Sequence, residues 1–254
     1  MKDIIKVLIV AFLVYFIAII LLTVVFRTYI PDFPLKSHAL LITRLLALYT
    51  FAWCFYTKKF GEVPNFLGFK KRFFKPFLFG IVFSLPFAAI LFPGLVMAEI
   101  PITVSLASLL ALLTVILGPG FFEEGLFRGL LFNELTKKMK WGWAALISGL
   151  FFGPAHLAGL LFGWGLDEAL AKTFFGLVSA FVFGYIFIKM KGNIWACFSL
   201  HFMLDSYVDC FIKPEHVRQN LDILVPISII GLVVAYVFAI AVVRNKKIIS
   251  YINS

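Results

Sequence analysis

Charge is what this 254-residue chain has little of: Asp, Glu, Lys and Arg make up 14% of it, against about a quarter in an ordinary soluble domain. Acidic residues number only 13, while 62% of the chain is hydrophobic. A soluble globular protein and a disordered chain are both excluded by that balance. Cysteine is scarce too. Cys54, Cys197 and Cys210 all fall inside apolar stretches and form no CxxC pair, so neither a disulfide framework nor a thiolate metal centre follows. There is no HExxH, no Ser/His/Asp set and no glycine-rich phosphate loop. No long repeat and no soluble segment large enough to fold alone interrupts the chain, so residues 1–254 read as a single membrane domain.

What the chain has in excess is apolar length. Its mean hydropathy is +1.02, and 32 Phe residues suit helices that face lipid and anchor at its interfaces. A hydrocarbon core of roughly 30 Å needs about 20 apolar helical residues. That ruler gives an all-α polytopic membrane protein of about eight transmembrane helices, over residues 4–26, 38–57, 77–98, 102–135, 142–162, 170–189, 194–212 and 223–243. The first follows Lys2 and Lys6 like a signal sequence, but its length and the lack of a small-x-small cleavage site predict a retained anchor. The fourth is too long for one straight span, and Gly118-Pro119-Gly120 predicts a break or a kink, leaving an outer segment and an inner helix starting near Phe121.

The net charge of +10 is topological and not a sign of nucleic-acid binding, because the basic residues lie in short loops between spans. With the N-terminus inside, sixteen of the 23 Lys and Arg fall on inner segments: Lys2 and Lys6, residues 58–75, residues 137–140, Lys189 and Lys191, and residues 244–247. Only Arg27, Lys36, Lys172, Lys213 and Arg218 fall outside. The bias predicts a cell-membrane protein with both termini cytoplasmic. The loop from Lys58 to Pro76 reads as an interfacial element or as a plain solvated loop.

Ionisable groups inside a bilayer cost several kcal/mol unless paired or hydrated, so each one is a functional candidate. Arg44 is near a span end and can snorkel. Glu134 and Asp209 read as end residues. Six others form three short motifs. In FFEEGLFRG, Glu124 and Arg128 are four apart and can pair along one helix face, while Glu123 points about 140° away from Arg128 and lacks that partner. A carboxyl without a paired charge in low dielectric is the kind of group that exchanges protons near neutral pH. In FFGPAH, Phe152 and His156 share a face beside Pro154. In HFMLD, Asp205 is one turn from His201 and can orient it or share its proton. Depths counted from the inner helix ends are compatible with a common site. Gly125 and Gly129, and Ala145, Gly149 and Gly153, form small-residue ridges that read as ordinary helix packing.

The order EExxxR, FxxxH, HxxxD on successive spans resembles the CPBP family, which contains the type II CAAX prenyl proteases, or Ras-converting enzymes, and bacterial relatives once called Abi proteins. The resemblance covers about residues 118–212 as a catalytic core. It implies an intramembrane endopeptidase without a cofactor, acting on a membrane-associated peptide, prenylated or not, in which Glu123 and His156 activate a water. His201 and Asp205 would take the place of the family's oxyanion hole, with Glu124, Arg128 and Phe152 in support. Asp205 stands where the prenyl proteases have Asn. An ionised carboxylate cannot donate a hydrogen bond, so Asp205 can instead hold His201 as an imidazolium donor. Two rivals stay open. Glu123, His156 and His201 have the composition of a zinc site, and buried charges also suit a transporter or a non-catalytic bacteriocin-immunity protein.

Overall fold

The computed structural model describes residues 2–17, 36–102, 112–113, 116–162, 164–212 and 214–253, and among them the chain is helical with no strand. A backbone in hydrocarbon must satisfy its own polar groups, and a helix does so locally. The helices used below are α1 (Lys2–Tyr15), α2 (Lys36–Ala52), α3 (Phe74–Met97), α4 (Trp141–Ala155), α5 (Leu166–Lys189), α6 (Trp195–Asp209), α7 (Leu221–Arg244) and α8 (Lys246–Asn253). Between α3 and α4 runs a wide helix with i→i+5 winding, Ile116–Glu123 and Gly125–Phe132.

Four described helices are long and apolar enough to cross a membrane: Phe74–Met97, Trp141–Leu160, Leu166–Lys189 and Leu221–Arg244. The chain is thus an all-α polytopic membrane protein. Of the other predicted spans, 38–57 coincides with the shorter apolar helix Leu41–Thr57, and α6, within 194–212, is a 15-residue helix. The first and fourth lie partly outside the described residues.

Of the break or kink predicted at Gly118-Pro119-Gly120, no break is found between Ile116 and Glu123: the wide winding passes through the three residues. Pro119 has no amide hydrogen for an α-turn, and the helix accommodates it by widening, a feature frequent at functional sites. This wide helix lies at the centre of the molecule, against α1, α2, α4, α5 and α6, and every residue from Gly125 to Phe132 is buried.

Small residues set the close approaches, as expected where lipid supplies no hydrophobic drive between helices. α3 packs on α6 and α7, and α4 on α5. At Gly80 of α3 an added Cβ would lie 2.3 Å from the Ala196 carbonyl of α6. Gly153 of α4 meets the Thr173 carbonyl of α5 at 2.6 Å, and Gly129 meets the Leu67 carbonyl at 2.3 Å, by the same construction.

Candidate active site

The wide helix carries Glu123, Glu124 and Arg128, and its partner across the interior is His201 on α6. Glu124 is fully buried and Arg128 is 1% exposed, with Arg128 Nη1 3.2 Å from Glu124 Oε1. That pair is the one the i, i+4 spacing predicts. The same Oε1 accepts a hydrogen bond from His201 Nδ1 at 2.7 Å, a contact no local spacing could announce. His201 Nε2 lies 3.6 Å from Asp205 Oδ2 and 3.9 Å from Glu123 Oε2. The His201–Asp205 neighbourhood expected from HFMLD is present, but the shortest contact of the imidazole is to Glu124.

Glu123 therefore does not face away from the polar cluster. Consecutive glutamates flank one ring, one at each nitrogen, and the i→i+5 winding helps by turning the chain through a smaller angle per residue than an α-helix does. Glu123 keeps 26% of its side chain exposed and Asp205 33%. Glu124 is thus the sealed carboxylate and Glu123 the accessible one.

Two phenylalanines hold the charges in place. The Arg128 guanidinium carbon is 4.4 Å from the Phe152 ring centre and 4.8 Å from that of Phe183, an arrangement worth about 2 kcal/mol per ring when desolvated. Among the described residues, Glu124 Oε2 and the guanidinium nitrogens make no hydrogen bond, so the aromatic faces and Glu124 Oε1 are what meet the cation. The Phe152 ring also stands edge-on to His156 at 5.0 Å and to His201 at 5.9 Å, and Phe183 touches His201 at 5.6 Å. Phe152 is where the three motifs meet.

His156 begins the 3₁₀ stretch His156–Phe162 that follows α4. Its Nδ1 is 3.0 Å from the Phe152 carbonyl and 3.2 Å from that of Gly153. Carbonyls only accept, so Nδ1 carries the hydrogen and Nε2 of the neutral ring is left as an acceptor. No hydrogen bond or ion pair joins Glu123 to His156. Tyr15 of α1 donates its hydroxyl to the carbonyl of Ala155, the neighbour of His156, and lies within electrostatic reach of Glu123. Arg44 of α2 is half-buried and also within electrostatic reach of Glu123. Nothing in the sequence around Tyr15 or Phe183 singles them out. Both act across helices.

A cavity of about 190 Å³ opens beside this cluster, with His156, His201 and Asp205 on its wall together with Phe152 and Phe183. The zinc alternative needs Glu123, His156 and His201 to converge. Among the described residues no group of three His, Cys, Asp or Glu side chains is placed to hold a metal ion.

Comparison with known proteins agrees with the motif order. Residues 105–207 match the family model described as Type II CAAX prenyl endopeptidase Rce1-like. A stretch of 114 residues, 45% of this chain, is 30% identical to "Putative membrane peptidase YdiL" of Bacillus subtilis (strain 168), and spans 41% of that protein's length. The chain thus covers less than half of the curated relative it matches. No solved structure matches. The matched segment contains all three motifs and is CAAX-protease-like.

Proposed function

We propose that the protein is an intramembrane endopeptidase that hydrolyses a peptide bond of a membrane-associated substrate with a water activated by Glu123 and His156. The observation that carries this reading is the convergence of the three motifs on one imidazole at the wall of a cavity. Amide hydrolysis needs a base for water, a donor for the tetrahedral oxyanion and an acid for the leaving nitrogen. The accessible Glu123 carboxylate takes one proton of the water, and His156 Nε2 accepts a hydrogen bond from the other. The hydroxide oxygen adds to the carbonyl carbon, and the negative charge moves to the carbonyl oxygen. His201 works as an imidazolium, giving Nδ1–H to Glu124 and Nε2–H to that oxyanion. Glu123 then returns its proton to the amide nitrogen, the C–N bond breaks, and an amine and a carboxylic acid leave. Asp205, at 3.6 Å from Nε2, orients the imidazolium in place of the amide of the prenyl proteases.

The reading calls for no metal. A purified preparation offered a farnesylated CAAX peptide and an unmodified apolar peptide tests both points. Glu123→Gln, which keeps the shape and removes the base, is expected to lower cleavage by about 10²-fold or more with thermal unfolding unchanged. Full activity in that variant overturns the role of Glu123. Activity should survive a membrane-permeant chelator. Stoichiometric zinc by elemental analysis, lost in parallel with activity, makes Glu123, His156 and His201 metal ligands instead.

A further inference from the structure

Among the described residues the lysine-rich end of the helix bundle is tied together, and the cavity beside the site lies toward the other end. At the lysine-rich end the chain is laced to itself. Lys70 Nζ donates to the Lys191 carbonyl, Trp195 Nε1 donates to the Lys70 carbonyl at 2.9 Å, and Arg72 Nη1 donates to the Asn253 carbonyl at 2.8 Å. The Ile194 amide donates to the Gly68 carbonyl at 2.9 Å, and Asn193 Nδ2 to that of Arg72 at 2.7 Å. Behind this lacing the rings of Phe121, Trp195 and Phe198 pack with centroids 4.8–6.0 Å apart. The lysine-rich end is closed by hydrogen bonds and aromatic rings.

The cavity lies toward the other end. Its walls come from α5 between Glu168 and Phe183, from α6 between His201 and Val208, and from α7 between Leu221 and Tyr236, with Val217 of the helix Pro214–Gln219 added. Residues 184–189 of α5 and 237–244 of α7, the lysine-rich ends of both helices, contribute nothing to it. At 1.5 Å per residue the α5 wall runs about 22 Å from Glu168 to Phe183. Its floor is shut where the Ser179 and Tyr236 hydroxyls lie 2.7 Å apart and where Phe183 packs on His201. The charged groups near its rim are Glu168 and Lys172, the latter with Nζ 4.5 Å from the Trp164 ring centre. Between rim and imidazoles the wall is mainly apolar, including Phe175, Leu204, Val208, Leu224 and Val225.

Resting on the peptidase reading above, we propose that the cavity is the substrate's way in, and that its occupant is an apolar segment of a peptide presented on the face opposite the lysine-rich loops. Under the charge bias that face is the non-cytoplasmic one. The segment enters past Glu168 and Lys172, which stay hydrated. It buries apolar side chains against α5, α6 and α7 and brings its carbonyl to His201 and His156.

Thiol labelling in sealed proteoliposomes tests this without requiring a known substrate. Cys54 is exposed and is replaced by Ser, whereas Cys197 and Cys210 are buried and stay. V225C reports the cavity, V217C its rim, and K71C the exposed lysine-rich loop. A membrane-impermeant maleimide is added to either side. V225C and V217C are expected to react at least tenfold faster from the side opposite to the one that labels K71C. Labelling of both from the same side as K71C, or of neither until the protein is unfolded, overturns the route. In detergent, maleimide on V225C should cut cleavage of the unmodified apolar peptide at least tenfold while maleimide on K71C leaves it intact. Unchanged cleavage after complete V225C labelling overturns passage of substrate through the cavity. A wild-type protein that cleaves no peptide fails the peptidase reading, and the labelling sides still decide the way in.

Discussion

Of the two adjacent carboxylates, Glu124 is sealed in the interior and Glu123 is not. Glu124 is fully buried between Arg128 and His201, and breaking a buried ion pair by removing one partner costs about 3–5 kcal/mol, since the remaining charge is stranded. Glu124→Gln keeps an oxygen for the Nδ1–H of His201 but leaves Arg128 without its anion. Arg128→Ala in addition empties the space between the Phe152 and Phe183 rings. Both variants are expected to lower thermal unfolding in detergent by an amount of that order, with activity falling alongside. Glu123→Gln, at a side chain about one quarter exposed, should unfold where the wild type does. If Glu124→Gln is as stable as Glu123→Gln, Glu124 is not the structural member. The pairing of Glu124 with Arg128 was legible, because i, i+4 spacing on a helix brings the two side chains together. Its bond to His201 was not, because it joins residues 77 apart and depends on how α6 packs against the wide helix.

Among the elements, most described helices lie where hydropathy places them, and the break or kink expected at Gly118-Pro119-Gly120 takes the form of a change in winding. Gly118-Pro119-Gly120 carries the composition of a helix break, yet in a buried helix a break would strand backbone polar groups in hydrocarbon. Widening the winding keeps them paired. Hydropathy alone cannot separate the two outcomes, since both use the same residues. The glycine ridges were legible as packing surfaces, but their partners were not: Gly125 packs on Leu48 of α2, and Gly129 on backbone at Leu67. Gly129 offers a sharp test. An alanine Cβ there would meet the Leu67 carbonyl oxygen at 2.3 Å and its carbon at 2.8 Å, and backbone cannot swing aside as a side chain end can. Overpacking of this kind costs about 1–3 kcal/mol. Gly129→Ala should therefore lower the unfolding temperature, while Gly142→Ala, with nothing within 4 Å in the first turn of α4, should leave it unchanged or raise it through better helix propensity. Equal temperatures for the two variants would show that the Leu67 turn yields, and with it the anchoring of the wide helix.

For the whole molecule, the segments assigned to the inner side by counting Lys and Arg do gather at one end. Asp3 of α1 is 3.0 Å from Lys138, Lys6 donates to the Phe55 carbonyl at 3.3 Å, and Lys75 donates to the Tyr251 carbonyl at 3.2 Å. Asn253 donates to the Lys189 carbonyl at 3.1 Å. Each contact joins two segments that the loop-by-loop count places on the same side, so the two assignments support one another without shared assumptions. α8 extends the pattern: Lys246 and Lys247 lie on a short helix whose Ile252 is buried, the form of an element that rests at an interface with its charges outward. Which side of the membrane that end faces is a question for experiment, and the retention of Lys and Arg on the cytoplasmic side during insertion sets the expectation. A reporter fused after Ser254 should therefore read as cytoplasmic, and an impermeant reagent added outside intact cells should not reach K71C. An extracellular readout at Ser254 would invert the molecule as a whole, since the bonds of Arg72 to Asn253 and of Lys75 to Tyr251 carry the loop and the C-terminal helix together. The cavity would then open toward the cytoplasm and the substrate would have to be a cytoplasmic one, although its mouth would still lie opposite the lysines.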